Sequence, residues 1–211
     1  MTYRSATGAS SSSTSSLSVN VPASVADDDG MIAQVTWLGT STLTAPGGWT
    51  QTGTEQSYGN KKVRYYTRIA SSEPASYSWG VSPAERIVVN VLAFYDIDTS
   101  AFVNASDTAS TGSSATVTAV GVTPSVDGCD LVAFFAASGN TSFTQAAGMT
   151  EREDRNIGGF NLAGAADTEA WTSGATGNRT STITSSDWAG ALFALAPTPT
   201  PSPVSLLLAF P

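Results

Sequence analysis

The chain has 211 residues, a formal charge of −8, one Cys and no His. Without imidazole there is no Ser-His-Asp or Cys-His nucleophile pair and no His-ligated zinc or haem. One Cys excludes an internal disulfide framework and every multi-Cys metal site, and nine basic residues against seventeen acidic ones leave no basic groove for nucleic acid.

Charged residues make up only 12% of the chain while hydrophobics are an ordinary 41%, and Ser, Thr and Ala number 30, 28 and 30. The surface is therefore built from neutral polar side chains, as on all-β extracellular or virion proteins, because Thr and Ser tolerate the solvent face of a sheet. No apolar run reaches the ~20 residues that span a bilayer, so no membrane insertion is expected. No basic segment followed by an apolar one opens the sequence, so a Sec leader is not expected either. A particle assembled in the host cytoplasm and released by lysis fits that combination; non-classical secretion is the other route.

In chain order, residues 1–16 read as a polar N-terminal arm, with a Ser/Thr run from Ser10 to Ser16. Leu17, Val19 and Val21 alternate with polar residues until Pro22, which predicts a strand. Further strands are predicted at Met31–Trp37, Val63–Ile69, Tyr77–Val81 and Ile87–Ala93, with a turn over Ser82–Glu85. In the last strand Ile87, Val89, Val91 and Ala93 share one face. Val88, Leu92 and Phe94 take the other, interrupted by Asn90, which predicts a central strand covered on both sides. Residues 98–115 read as a polar join.

The second half repeats the first at an offset of about 100 residues. Gly39–Gln51 aligns with Gly139–Glu151, setting Leu43 against Phe143, Gly48 against Gly148 and Trp49 against Met149. Pro22–Ala33 corresponds to Pro124–Ala133, Glu85 to Asp187, and Ile87, Val89, Val91 and Ala93 to Ala189, Ala191, Phe193 and Leu195. The expected fold is an all-β antiparallel sandwich, jelly-roll-like, over residues 17–196. Its repeat halves, 17–98 and 115–196, are expected to carry about six strands each and to complete each other's sheets. Two tandem Ig-like domains are the alternative. The Ala- and Gly-rich second half favours the single sandwich, since alone it would build a thin core.

Residues 197–211 open with alternating prolines, a stiff extended spacer. The chain then closes on Val204-Ser205-Leu206-Leu207-Leu208-Ala209-Phe210-Pro211. This peptide is too short to span a bilayer and too greasy to leave in water. Val204, Leu206, Leu207, Leu208 and Phe210 are the predicted partner anchors, docked in a groove or added as a strand to a neighbouring chain. A tail without a role is the plain alternative.

The sites that sequence suggests are few. Asp27–Asp29 and Asp127–Asp130 supply oxygens that suit calcium, but they match no EF-hand spacing, and Asp with Gly is also ordinary turn chemistry. No metal and no cofactor is expected. Trp37, Trp79 and Trp171 are candidates for stacking on a sugar, against their alternative role as core fillers. Carboxylates such as Glu85 and Asp187 form no recognisable acid/base pair. Cys129 has no His to activate it. Lys62, Arg64 and Arg68 form a small basic stripe, expected on a solvated face.

Several stretches carry a family resemblance: Leu17–Ala23 leading into an Asp/Gly turn, Thr44–Thr50, Tyr65–Ala70 and Ala93–Asp98. In the second half they are Gly148–Arg152, Gly174–Gly177, Trp188-Ala189 and Ala194–Pro197. Over residues 15–197 the chain resembles a loosely described family of β-rich bacteriophage tail and virion structural proteins, a module also found in bacterial surface proteins. The resemblance implies a non-enzymatic virion structural protein, a capsid decoration or cement protein or a tail-appendage component, at the virion surface. Its partners would be other virion subunits and copies of itself. A carbohydrate-binding adhesin or receptor-binding protein for host surface glycans, extracellular, is the second reading. The family has Gly-Asp at the first turn where this chain has Asp29-Gly30, and neither catalytic residues nor a metal role carry over.

Overall fold

A computed structural model describes residues 1–139, 141–157 and 162–199. Every element among them is a strand: β1 (Thr2–Asn20), β2 (Gly30–Leu38), β3 (Thr42–Thr44), β4 (Thr50–Tyr58), β5 (Lys61–Ile69) and β6 (Ser76–Tyr95), then β7 (Val103–Ala119), β8 (Asp130–Ala137), β9 (Thr150–Asn156), β10 (Ala163–Ala170) and β11 (Arg179–Leu195). They form two antiparallel sheets packed as a sandwich, in agreement with the expected all-β class. One sheet runs β1-β6-β2-β5-β4, with β3 also on β6, and the other runs β7-β11-β8-β10-β9.

The two orders are the same order, so the internal repeat is a structural one. Gly48 and Gly148 both hold the left-handed conformation at φ +82°, which a side chain adopts only with strain. Trp49 and Met149 are both buried, each in its own half. The closing strands align differently from the sequence reading, however. Trp37 pairs with Ile87 and Ala137 with Trp188, so Ile87 corresponds to Trp188, one residue earlier than sequence matching placed it. One step exchanges the faces of a strand. Phe193 and Leu195 consequently face the other half rather than the private core of their own.

The halves do not complete each other's sheets. All strands of the first sheet come from residues 2–95 and all of the second from 103–195. Antiparallel pairing among its own strands satisfies each half's backbone, and what the halves share is a face. The polar stretches on either side of the predicted sandwich also read differently. Residues 1–16 are most of β1, hydrogen-bonded along β6, and residues 103–115 of the expected join are most of β7, hydrogen-bonded along β11. Both are edge strands, whose Ser, Thr, Gly and Ala residues lack the apolar alternation that marks a half-buried strand. The segments Tyr77–Val81 and Ile87–Ala93 and the expected turn between them are all part of β6.

Three large apolar clusters result among the described residues, with a small fourth of Val88, Ile157 and Leu162. In the first half Met31, Val35, Trp37, Val89 and Val91 form a private core on the outer face of the sheet. The far end of the β1–β6 ribbon folds over it: the Trp79 ring packs edge-on against Tyr66 with centroids 5.2 Å apart and lies tilted 5.5 Å from Trp49. Register shifts in β1 at Ser11–Ser16 supply the bend. The second half repeats this core with Val117, Leu131, Phe135, Phe143 and Leu192. The third cluster lies between the halves and contains Ile32, Tyr65, Leu92 and Phe94 facing Val132, Phe134, Ala191 and Phe193. The β6 strand is thus central and covered on both faces, as its pattern predicts. Its polar interruption is partly satisfied: Asn90 Nδ2 donates to Gln34 Oε1 at 3.2 Å and Gln34 donates across the interface to the Phe135 carbonyl at 2.9 Å, while Asn90 Oδ1 is buried without a partner.

Candidate functional site

The repeat places each edge of one sheet beside the opposite edge of the other, giving two related seams. At the β4–β7 seam the Thr54 amide donates to Thr108 Oγ1 at 2.8 Å, and Gln56 Nε2 donates to the carbonyls of Ser110 and Gly190 at 2.8 and 3.1 Å. Phe102, just before β7, lies over Gly30 so closely that a Cβ on Gly30 would collide with its ring. The cavity left at the mouth of this seam, lined by Thr50, Thr67, Arg68 and Phe102, measures about 310 Å³.

The β1–β9 seam is built from the equivalent positions with different residues. Asp130 stands where the first half has Gly30, and Thr2 where it has Phe102. The plug is gone, a carboxylate is present, and the cavity is about 670 Å³, lined by Met1, Thr2, Tyr3, Asp130, Thr150, Arg152, Thr168 and Glu169 among others. Arg152 is the residue left out of register where β9 pairs with β10, since Asp167 pairs Glu151 and Ala166 pairs Glu153. A bulge re-aims its side chain. The Arg152 guanidinium lies 3.8 Å over the Tyr3 ring, and Nε donates to Thr168 Oγ1 at 2.7 Å.

Asp130 is 9% exposed, and its Oδ2 is buried without a hydrogen-bond partner. Burial pushes its carboxyl up to about 6, against the pull of the N-terminal charge and Arg152. A buried acceptor without a donor is costly, so this atom is poised for a donor from outside the chain. On the far side of the wall Glu169 pairs with Arg179 at 2.7 Å, and Arg179 lies 5.3 Å from the half-buried Trp171 ring.

The residues singled out by sequence go to other places. Trp37 and Trp79 are 1% and 0% exposed, inside the first private core, and offer no face to a sugar. They fill the space that the folded β1–β6 ribbon must cover. Trp171 alone of the three reaches the surface, with its Nε1 donating to the Gly174 carbonyl at 3.2 Å. Asp29 pairs with Arg4 at 2.6 Å and Asp27 accepts from the Ser72 amide at 2.6 Å. Those oxygens serve the turn, and among the described residues no group of three His, Cys, Asp or Glu is placed to hold a metal ion. Cys129 is buried in the second core, where desolvation raises its thiol. The basic stripe is internally paired, Lys62 and Arg64 with Glu55 and Arg68 with Glu73. Val204, Leu206, Leu207, Leu208 and Phe210 lie outside the described residues.

Sequence reading missed the cavity because Asp130 looked like a turn residue and Thr2 and Tyr3 like part of an arm. The available signal was the repeat itself, in which a carboxylate replaces Gly30 at the equivalent position. No protein-family model, no curated protein and no solved structure matches the chain.

Proposed function

We propose that this chain is a non-enzymatic structural protein of a bacteriophage virion, displayed at the particle surface and anchored to neighbouring subunits by its apolar C-terminal peptide. The observation that carries the reading is how charge is used. Among the described residues, Arg4, Lys62, Arg64, Arg68, Arg155 and Arg179 are all engaged in ion pairs within the chain. A duplicated, doubly covered sandwich is left with faces rich in Ser and Thr and with an excess of acidic charge, −8 overall, a surface suited to display in solution. The Pro-rich spacer and the Leu/Phe peptide then supply the attachment, through main-chain pairing and apolar pockets in a neighbouring subunit. Deleting residues 204–211 tests this. The truncated protein should fold normally yet be lost from purified particles, and full occupancy of truncated protein would sink the proposal.

A second reading, recognition of host surface glycans, is favoured by the Asp130–Arg152 cavity and by the nearby Trp171. An array of bacterial surface glycans probed with the full chain tests it, and absence of any bound glycan counts against it.

A further inference from the structure

We propose that the cavity at the mouth of the β1–β9 seam is a binding site for a small neutral polyhydroxylated ligand, a single sugar unit, held between Asp130 and Arg152. The inference rests on the glycan reading and deepens it, naming the groups that hold the ligand and the ligand's chemical class. The fold supplies its own control. Two seams share one backbone plan, and at one of them Gly30 and Phe102 close the mouth to about 310 Å³. At the other Asp130 and Thr2 leave about 670 Å³, room enough for a ring-sized ligand. Filling that space with apolar side chains, as the first half does, would remove the unpartnered Oδ2 of Asp130. The second half keeps an uncompensated buried acceptor instead, a feature that weakens the fold and gains a use only when a donor arrives.

The chemistry of the walls selects the class. A cation is repelled by Arg152 and by the N-terminal ammonium of Met1, and an anion by Asp130 and Glu169, so the walls carry both signs. A neutral ligand bearing adjacent hydroxyls satisfies both, one O–H donating to Asp130 Oδ2 while a neighbouring oxygen accepts from the guanidinium. Thr150 and Thr168 line the same cavity and add hydroxyls that both donate and accept. The Tyr3 ring beneath Arg152 and the Nε bond to Thr168 hold the guanidinium in place beforehand, which lowers the ordering cost of binding.

The test is titration of the isotope-labelled full chain with glucose, galactose, mannose, rhamnose and N-acetylglucosamine, and separately with serine, read by amide chemical shifts. One or more sugars should move the amides of Asp130, Arg152 and Thr168 at millimolar concentration. Asp130→Asn and Thr2→Phe, the latter rebuilding the plug of the first half, should each weaken that binding by about tenfold or more. Asp130→Asn should melt no lower than the parent protein, which separates lost binding from lost folding. Shifts confined to the surroundings of Trp171, unchanged by Asp130→Asn, would overturn this site and leave glycan recognition standing. No sugar response here together with no glycan on the array would overturn both. Serine binding in preference to every sugar would overturn the ligand class.

Discussion

The Tyr65 ring packs against Phe134 across the interface between the halves, with centroids 5.5 Å apart, where the equivalent pair in the pseudo-symmetric position is Ala166 and Gln34. The exchange does not conserve volume. A large pair fills one side of the interface, while the other side closes over small residues and the buried Gln34–Asn90 hydrogen bond. Duplication gave both halves one backbone plan, and divergence of facing positions sets an aromatic pair on one side of the shared face and a hydrogen-bonded polar pair on the other.

Tyr65→Ala should therefore be among the most damaging substitutions in the chain. It removes contacts with Phe134 and Phe193 and the hydroxyl bond to Gln56 Oε1 at 2.8 Å. The expected loss is about 3–5 kcal/mol, and for Tyr65→Phe about 1 kcal/mol. Urea unfolding measures both, and a loss for Tyr65→Ala below that of Tyr65→Phe would contradict the packing account.

Stability should peak in mild acid. Burial pushes Asp130 and Asp167 up to about 6, and for Asp167 the neighbours Glu151 and Asp154 add to it against a hydrogen bond from the Ala146 amide. A carboxyl whose folded value lies above its unfolded one destabilises the fold as it ionises, so stability falls as pH rises from about 4 through 6. Glu55 and Glu73 act in the opposite sense. Burial raises them, but hydrogen bonds from Lys62 and Arg64 and from Arg68 and Tyr77 more than offset it, so their contribution is lost as pH falls below the ordinary Glu range. The optimum is expected at about pH 4, where the two opposed trends cross, with roughly 2–4 kcal/mol lost by pH 8. Thermal melts across pH check this: Asp130→Asn with Asp167→Asn should flatten the alkaline limb, and a parent curve that rises steadily to pH 8 would refute it.

Gly30→Ala should destabilise by about 1–3 kcal/mol, because the new methyl meets the Phe102 ring in a closed seam. Pairing it with Phe102→Thr should recover part of that loss, since the double variant imitates the open geometry of Asp130 and Thr2. A double-mutant cycle in denaturant reads the coupling, and strict additivity would show that the two side chains do not meet.

Each half has a private core, yet the third cluster is shared. Residues 1–101 and 102–211 produced separately should each be prone to aggregate through the exposed Tyr65–Leu92 and Phe134–Phe193 faces. Produced together, they should copurify as a one-to-one complex, which ultracentrifugation detects. Two well-behaved monomers that ignore one another would show that the shared face contributes little.

The sequence by itself determined the all-β class, the repeat and the strands that alternate strongly. β2, β5 and the double-sided end of β6 were legible because burial on one or both faces writes a period of two, or an unbroken apolar run, into the residues. The equivalence of Trp49 and Met149 could be read the same way. The edge strands β1 and β7 could not, because an edge exposes its residues and tolerates neutral polar ones, leaving no period to read. The register of the closing strand was beyond sequence matching for a related reason: β6 and β11 are apolar on both faces, so a shift by one residue matches almost as well. The cavity is a tertiary matter altogether. Asp130, Arg152 and Thr2 come from β8, β9 and β1, and only the docking of one half on the other brings a carboxylate, a guanidinium and an absent plug to the same place. The missing His and scarce basic residues exclude much chemistry, but where the remaining charge goes unpaired is decided by packing, since the cost of a buried group depends on what surrounds it in space.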